Sequence, residues 1–281
     1  MLVLEAFTRL SGPTHGPSEI AEATGLNVAV VYRILQSGIP SMLFVRVPPG
    51  RYRLGPGAAQ IGMQAMANTP GTETSHPVLE HASRALDGFA LLWVLSPYGG
   101  PHRSCADYAP GRYDFDALGL TATELVEVGS TLRVGASGRV IAAHLPAPMV
   151  ASVLGEQVPA AAGPGVVRDP DDFVASLNAI QQAGYAVGRE EIPGWDSIAA
   201  PVMWGDAIYG AVTILKPSSL MPKDLAVPIA VMTAAANRLS LLVSGGPGKD
   251  ATRGRNTSRY GVPLPTSEAK TSAGKRASGE V

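Results

Sequence analysis

The sequence is poor in cysteine, in net charge and in long apolar runs, and each shortage excludes something. A single cysteine, Cys105, stands among 281 residues. It cannot close an internal disulfide, which suits a reducing compartment, and it leaves no cysteine cluster for zinc. No uninterrupted apolar stretch approaches the roughly 20 residues of a membrane span. The first residues lack the basic stretch, apolar core and small-residue cleavage site of a secretory signal. A cytoplasmic protein with no membrane partner is the expectation. Hydrophobic residues make up 46% of the chain, enough at this length for one large or two modest packed cores.

The formal net charge of −1 hides an uneven distribution. Residues 1–57 carry five basic and three acidic side chains, residues 58–245 ten and seventeen, and residues 246–281 seven and three. Only the two ends lean basic, so any contact with nucleic acid is expected at an end. Residues 246–281, beginning "GGPGKDATRGRNTSRYG", have too few large apolar side chains to offset the entropy of ordering, and read as a disordered basic tail.

Between the ends, "RYRLGPGAAQIGMQAMANTPG" marks a boundary. A strand-like segment stops at Gly-Pro-Gly, and a small-residue helix follows, the expected connector between two domains. This divides the chain into 1–57, a connector over 58–75, a second domain over 76–245, and the tail. In the second domain helices are expected over "PVLEHASRAL", after "GASG", over "DDFVASLNAIQQAG" and over "VPIAVMTAAANRLSLLV". Strands are expected at "FALLWVL", "SIAAPVMW" and "IYGAVTIL", with a long Gly/Pro loop after the first. The mixture reads as α/β or α+β.

The stretch "PSEIAEATGLNVAVVYRIL" reads as two short helices around a turn. Ser18 can cap a first helix with Ile20, Ala21 and Thr24 inward, and Gly25 supplies the turn conformation. In the second helix Val31, Ile34 and Leu35 recur at the spacing of a buried stripe. Val28, Ala29, Tyr32, Arg33 and Gln36 then form the opposite face, the one that would enter a major groove beside Ser18. Downstream, "FVRVPPGRYRLG" reads as a hairpin around Pro-Pro-Gly whose Arg46, Arg51 and Arg53 can reach phosphates. Any pair of amphipathic helices shares part of this pattern. The added basic hairpin is what favours a winged helix-turn-helix.

"VLEAF", "SEIAEATGL", "VYRILQ" and "GRYRLGP", followed by "VGSTLRVGASGRVIAAHLP", "GYAVGREE" and "SIAAPV", resemble in order and spacing the IclR family of bacterial transcription regulators. The resemblance covers about residues 2–245. It implies a winged helix-turn-helix, a linker helix and a GAF-like effector-binding domain, working as a homodimer or homotetramer on operator DNA, with no cofactor, metal or catalytic residue. Where the family usually begins its recognition helix with polar residues such as Pro-Lys-Ser-Thr, this chain has Asn27, Val28, Ala29 and Val30. Apolar side chains can read thymine methyl groups, yet weaker DNA affinity than the family average is expected. The chain also begins inside the first helix, which suggests a short upstream segment.

For the effector domain, "RVGASGRVIAAHL" forms a small-residue turn into a helix, a place where backbone N–H groups hold carboxylates. The resemblance puts Ala136 and Ser137 at the effector, next to Gly138, with Ser197 and Thr213 as pocket hydroxyls. Ser197 and Thr213 read equally as ordinary strand residues, and Gly138 as a packing glycine. Three departures bear on the ligand. Gly188 stands where the family carries an acid, Leu215 stands where it carries a second hydroxyl, and a shortened loop brings Trp195 close. A more apolar pocket follows, suited to an aromatic or amino-acid-derived ligand rather than a glyoxylate-like acid.

An enzymatic reading has little support. Cys105 and His102 share a loop without a third group to orient them. Adjacent Glu190 and Glu191 would point to opposite sides of a strand. His76 and His81 read as helix-surface residues. The stronger alternative is an oligomeric ligand sensor with weak or lost specific DNA binding.

Overall fold

A computed structural model describes residues 1–69, 71–96 and 99–245; the tail expected at 246–281 lies outside the described residues. Three helices open the chain: α1 (Leu2–Arg9), α2 (Pro17–Thr24) and α3 (Val28–Gly38). They enclose a small core of Val3, Ala6, Ile20, Ala21, Val31 and Leu35, closed by Phe44 and Tyr52 of a two-stranded antiparallel hairpin. The hairpin is β1 (Phe44–Val47) and β2 (Arg51–Leu54), so the Pro-Pro-Gly turn lies where the sequence puts it.

Two local expectations are corrected here. Ser18 is not the cap of α2: Gly16 is, its N–H donating to Glu19 Oε2 at 3.0 Å, with Pro17 at the first helical position, where a missing N–H costs nothing. Ile34 is 37% exposed, and the buried stripe of α3 is Val31, Leu35 and Gly38. The helix turns about 100° per residue, and contact with β1 draws its inward face toward Gly38 rather than Ile34. Gly25 does close α2 at φ +70°.

Helix α4 (Pro56–Ala67) follows, with Ile61, Met63 and Met66 exposed. Helix α5 (Thr72–Leu86) starts before the proline that was expected to open it. Five strands then build one antiparallel sheet: β3 (Phe89–Ser96), β4 (His102–Ala109), β5 (Ala186–Ile192), β6 (Trp195–Trp204) and β7 (Ala207–Pro217), in spatial order β4-β3-β7-β6-β5. The antiparallel pairing makes this an α+β domain.

Alternation along the strands sends side chains to two faces. Ala90, Leu92, Val212, Ile214, Ile198 and Ala200 pack against α5 and against α10 (Ala226–Val243). Among the described helices α10 alone is long and apolar enough to cross a membrane, with mean hydropathy 1.6 over 18 residues; its Met232, Ala236 and Leu239 are buried in this core. The other sheet face is covered by α6 (Ala122–Ser130), α7 (Gly135–Ala143), α8 (Ala147–Leu154) and α9 (Pro170–Ala183). The region read as one long loop after β3 therefore contains β4 and α6. Gly99, Gly100, Pro101, Pro110 and Gly111 lie outside the strand, and the polar residues of "HRSCADYA" belong to a strand at the sheet edge.

Candidate functional site

Two surfaces collect the residues singled out in the sequence. The first is on α3. Asn27 caps it, its side chain accepting from Ala29 N–H at 2.8 Å. Val28 and Tyr32 are 45% and 44% exposed, and Ala29 and Arg33 are exposed. With Pro17, Ser18 and Asn27 they line one shallow depression, which places Ser18 beside the helix even though it is not a cap.

The other four assignments, three arginines and a glutamine, divide. Arg46 and Arg53 are exposed on the hairpin. Gln36 is turned inward, its Nε2 donating to Tyr52 Oη at 2.7 Å, so it joins α3 to β2 instead of standing free. Arg51 is likewise occupied: it donates to Thr14 Oγ1 at 3.1 Å and Thr14 O at 2.6 Å, and pairs with Glu19 at 2.7 Å. Its backbone position flanks the turn, but its side chain reaches back to the loop before α2.

The second surface is a cavity of about 400 Å³ between the sheet and the helices α6 and α7. Ala136, Ser137, Ser197, Thr213 and Leu215 line it, together with Trp195, Leu91, Phe115 and Leu118. Gly138 and Gly188 do not. A Cβ on Gly138 would come 2.7 Å from the Leu132 carbonyl oxygen, so this glycine lets the chain pack on itself. A Cβ on Gly188 would come 2.5 Å from Ser197 Oγ and 2.7 Å from Glu191 Oε1. The space that a side chain there would need is filled by these two neighbours.

The charged groups of the cavity wall are Arg103 and Glu191, the latter paired with Arg139 behind it. Glu191 is 2% exposed; its Oε2 accepts from the Gly135 N–H at 2.8 Å, capping α7, and its Oε1 is ion-paired with Arg139. Arg139 also donates to Val187 O at 2.7 Å. The neighbouring Glu190 is exposed, at an irregularity of β5 where its φ is +47°. At the second and third positions of α7, the Ala136 and Ser137 N–H groups have no acceptor among the described residues. Thr213 Oγ1 is buried and likewise unpartnered among them.

Arg103 enters the cavity from β4, 5% exposed, and donates to Ser137 Oγ. Burial pushes its guanidinium down to about 10, against the attraction of Glu191, which leaves it protonated at neutral pH. Its neighbour Cys105 is on the same strand rather than in a loop. Although Cys105 is exposed, desolvation by its neighbours is the main influence raising its thiol to about 11, the reverse of what a nucleophilic thiolate needs. Nothing in the sequence distinguishes Arg103 from a surface arginine, because its segment carried no strand signal. Glu191 was visible only as half of an acidic pair.

The arrangement defines a class of protein: a small helical unit with one exposed helix and a hairpin, followed by an antiparallel sheet domain holding a ligand-sized cavity. Residues 122–241 match the family model described as bacterial transcriptional regulator IclR C-terminal. Over that segment the chain is similar to the C-terminal domain of IclR-type bacterial transcriptional regulators. It shares its fold with an IclR transcriptional regulator from Silicibacter sp., at 22% identity and TM-score 0.54 over 88% of this chain and 96% of that one. An IclR homolog from Microbacterium hydrocarbonoxydans, solved in complex with 4-hydroxybenzoate, is similar at 18% identity and TM-score 0.53 over 87% and 97%. The Thermotoga maritima IclR gives 19% identity and TM-score 0.52 over 86% and 96%. No curated protein matches the chain by sequence.

Proposed function

We propose that this protein is a cytoplasmic, homodimeric or homotetrameric regulator whose binding to operator DNA is modulated by a small organic effector held in the sheet cavity. Residues 1–57 read DNA, 58–75 connect, and 76–245 sense the ligand. The observation that carries this reading is the pairing of an outward face on α3 with a cavity of about 400 Å³, the size range of small-molecule sites. The cavity combines apolar walls with polar groups that have no protein partner among the described residues, the usual make-up of a pocket that orients a ligand. A related fold holding an aromatic carboxylate is in keeping with it.

The test is a fluorescence-anisotropy titration of the full chain against its own upstream DNA and a random duplex, at several salt concentrations. A regulator binds its upstream DNA at least about a thousandfold more tightly. Equal affinities favour the second reading, an oligomeric ligand sensor with weak or lost specific DNA binding. Val28 and Ala29 at the exposed start of α3, and the engagement of Gln36 by Tyr52, are what support that alternative.

A further inference from the structure

We propose that the cavity is built for a monoanion with an apolar body, and that Arg103 is the counter-charge that selects it. This rests on reading the cavity as the effector site, and it adds the charge of the ligand and the residue that recognises it.

The argument begins with an imbalance. Arg103 donates Nε to Gly129 O at 2.8 Å, Nη2 to Val128 O at 3.2 Å and Val134 O at 2.8 Å, and Nη1 to Ser137 Oγ. Its guanidinium carbon lies 4.7 Å from the centre of the Trp93 ring. Every one of these partners is neutral, and among the described residues Arg103 has no ion pair. Buried charges are ordinarily matched by an opposite charge, because desolvating an unpaired ion costs far more than desolvating a neutral donor. Glu191 is the carboxylate on this wall, and it is committed to Arg139 and to the Gly135 N–H. Two guanidiniums and one carboxylate leave an excess of one positive charge. That excess lies against the N-terminus of α7, whose aligned peptide dipoles are themselves positive at that end.

The donor geometry agrees. A guanidinium carries five N–H groups; four are used by the partners above, and the fifth is on Nη1, the nitrogen already at Ser137. Gly135 adjoins this contact: a Cβ added there would lie 3.6 Å from both terminal nitrogens of Arg103, in ordinary contact with them. Free N–H groups of Ala136 and Ser137 adjoin the same place. The rest of the lining is Leu91, Phe115, Leu118, Trp195 and Leu215, which suits an aromatic or branched aliphatic body. Thr213, buried with no partner for its hydroxyl among the described residues, offers one further hydrogen bond. A role for Arg103 in pinning residues 128–134 to β4 would need only hydrogen-bond donors; it gives no reason for an uncompensated charge.

The experiment compares matched pairs of acid and amide on the full chain, by calorimetric titration and thermal shift: benzoate with benzamide, phenylacetate with phenylacetamide, and 3-methylbutanoate with its amide. At least one acid is expected to bind about tenfold or more tightly than its amide. Arg103→Lys keeps that preference and Arg103→Gln reduces it to less than about threefold. Should Arg103→Gln fail to fold, the wild-type pairs and Arg103→Lys still decide. Amides that bind as well as their acids would overturn the charge assignment while leaving the effector reading intact. Acid preference surviving Arg103→Gln would make Arg103 a positioning residue only. If none of the six compounds binds, the proposal falls. Whether the effector reading falls with it is then decided by whether any neutral metabolite fraction changes DNA affinity.

Discussion

Arg51 and Glu19 are joined at 2.7 Å across the N-terminal unit, with the same arginine bonded to Thr14 O at 2.6 Å. The pair makes the hairpin part of the helix-turn-helix scaffold. Arg51→Ala is therefore expected to lower stability by about 1 kcal/mol, the worth of a half-exposed ion pair with its hydrogen bonds, measurable by denaturant unfolding. Arg53→Ala, by contrast, should leave stability unchanged and reduce the salt slope of DNA binding by about one. Arg33→Ala should change base preference. An Arg51→Ala variant of wild-type stability with a reduced salt slope would return Arg51 to the phosphate-contacting set.

Glu19 also sets a pH dependence. The Gly16 N–H bond, and after it the charge of Arg51, hold its carboxyl below the ordinary value of 4.5 despite the opposing effect of burial. A carboxyl depressed in the folded state contributes stability that is present above its unfolded value and lost as the pH falls through the folded one. Unfolding of the N-terminal unit should become easier below about pH 4.5, and Glu19→Gln should flatten that part of the profile. An unchanged acid limb in the variant would show that other carboxyls carry it.

Gly188 has no room for a side chain. A Cβ would press on Ser197 Oγ and Glu191 Oε1, so Gly188→Ala should cost about 1–3 kcal/mol by overpacking. Gly188→Asp should cost more, because it sets a second carboxylate against Glu191. Thermal denaturation of the two variants tests this; Gly188→Asp as stable as wild type would mean that the wall rearranges.

The unpartnered Thr213 hydroxyl separates stability from binding. Thr213→Val keeps the shape and removes a buried polar atom with no protein partner. It should leave the protein equally stable or up to about 1 kcal/mol more stable. Affinity for whichever compound binds the cavity should fall about fivefold. Destabilisation without loss of affinity would show that the hydroxyl serves the fold.

What the sequence by itself determined follows from local rules. Apolar spacing marked α3, the Gly25 turn and the hairpin; apolar runs marked β3, β6 and β7; and small residues at "GASG" marked the start of α7. These signals act within a few residues, where side-chain period and backbone freedom speak directly. Tertiary structure decided the rest, because it depends on partners distant in the chain. Arg51 turned inward because Glu19 and Thr14 lie beside it, and Gln36 did so because Tyr52 does. The polar strand β4 was invisible until its pairing with β3 held it at the sheet edge. Arg103, Arg139 and Glu191 come from three separate segments, and only folding makes them one buried wall; in sequence each is a charged residue indistinguishable from any on the surface. Burial decides what a charge must be paired with, and burial belongs to the assembled fold.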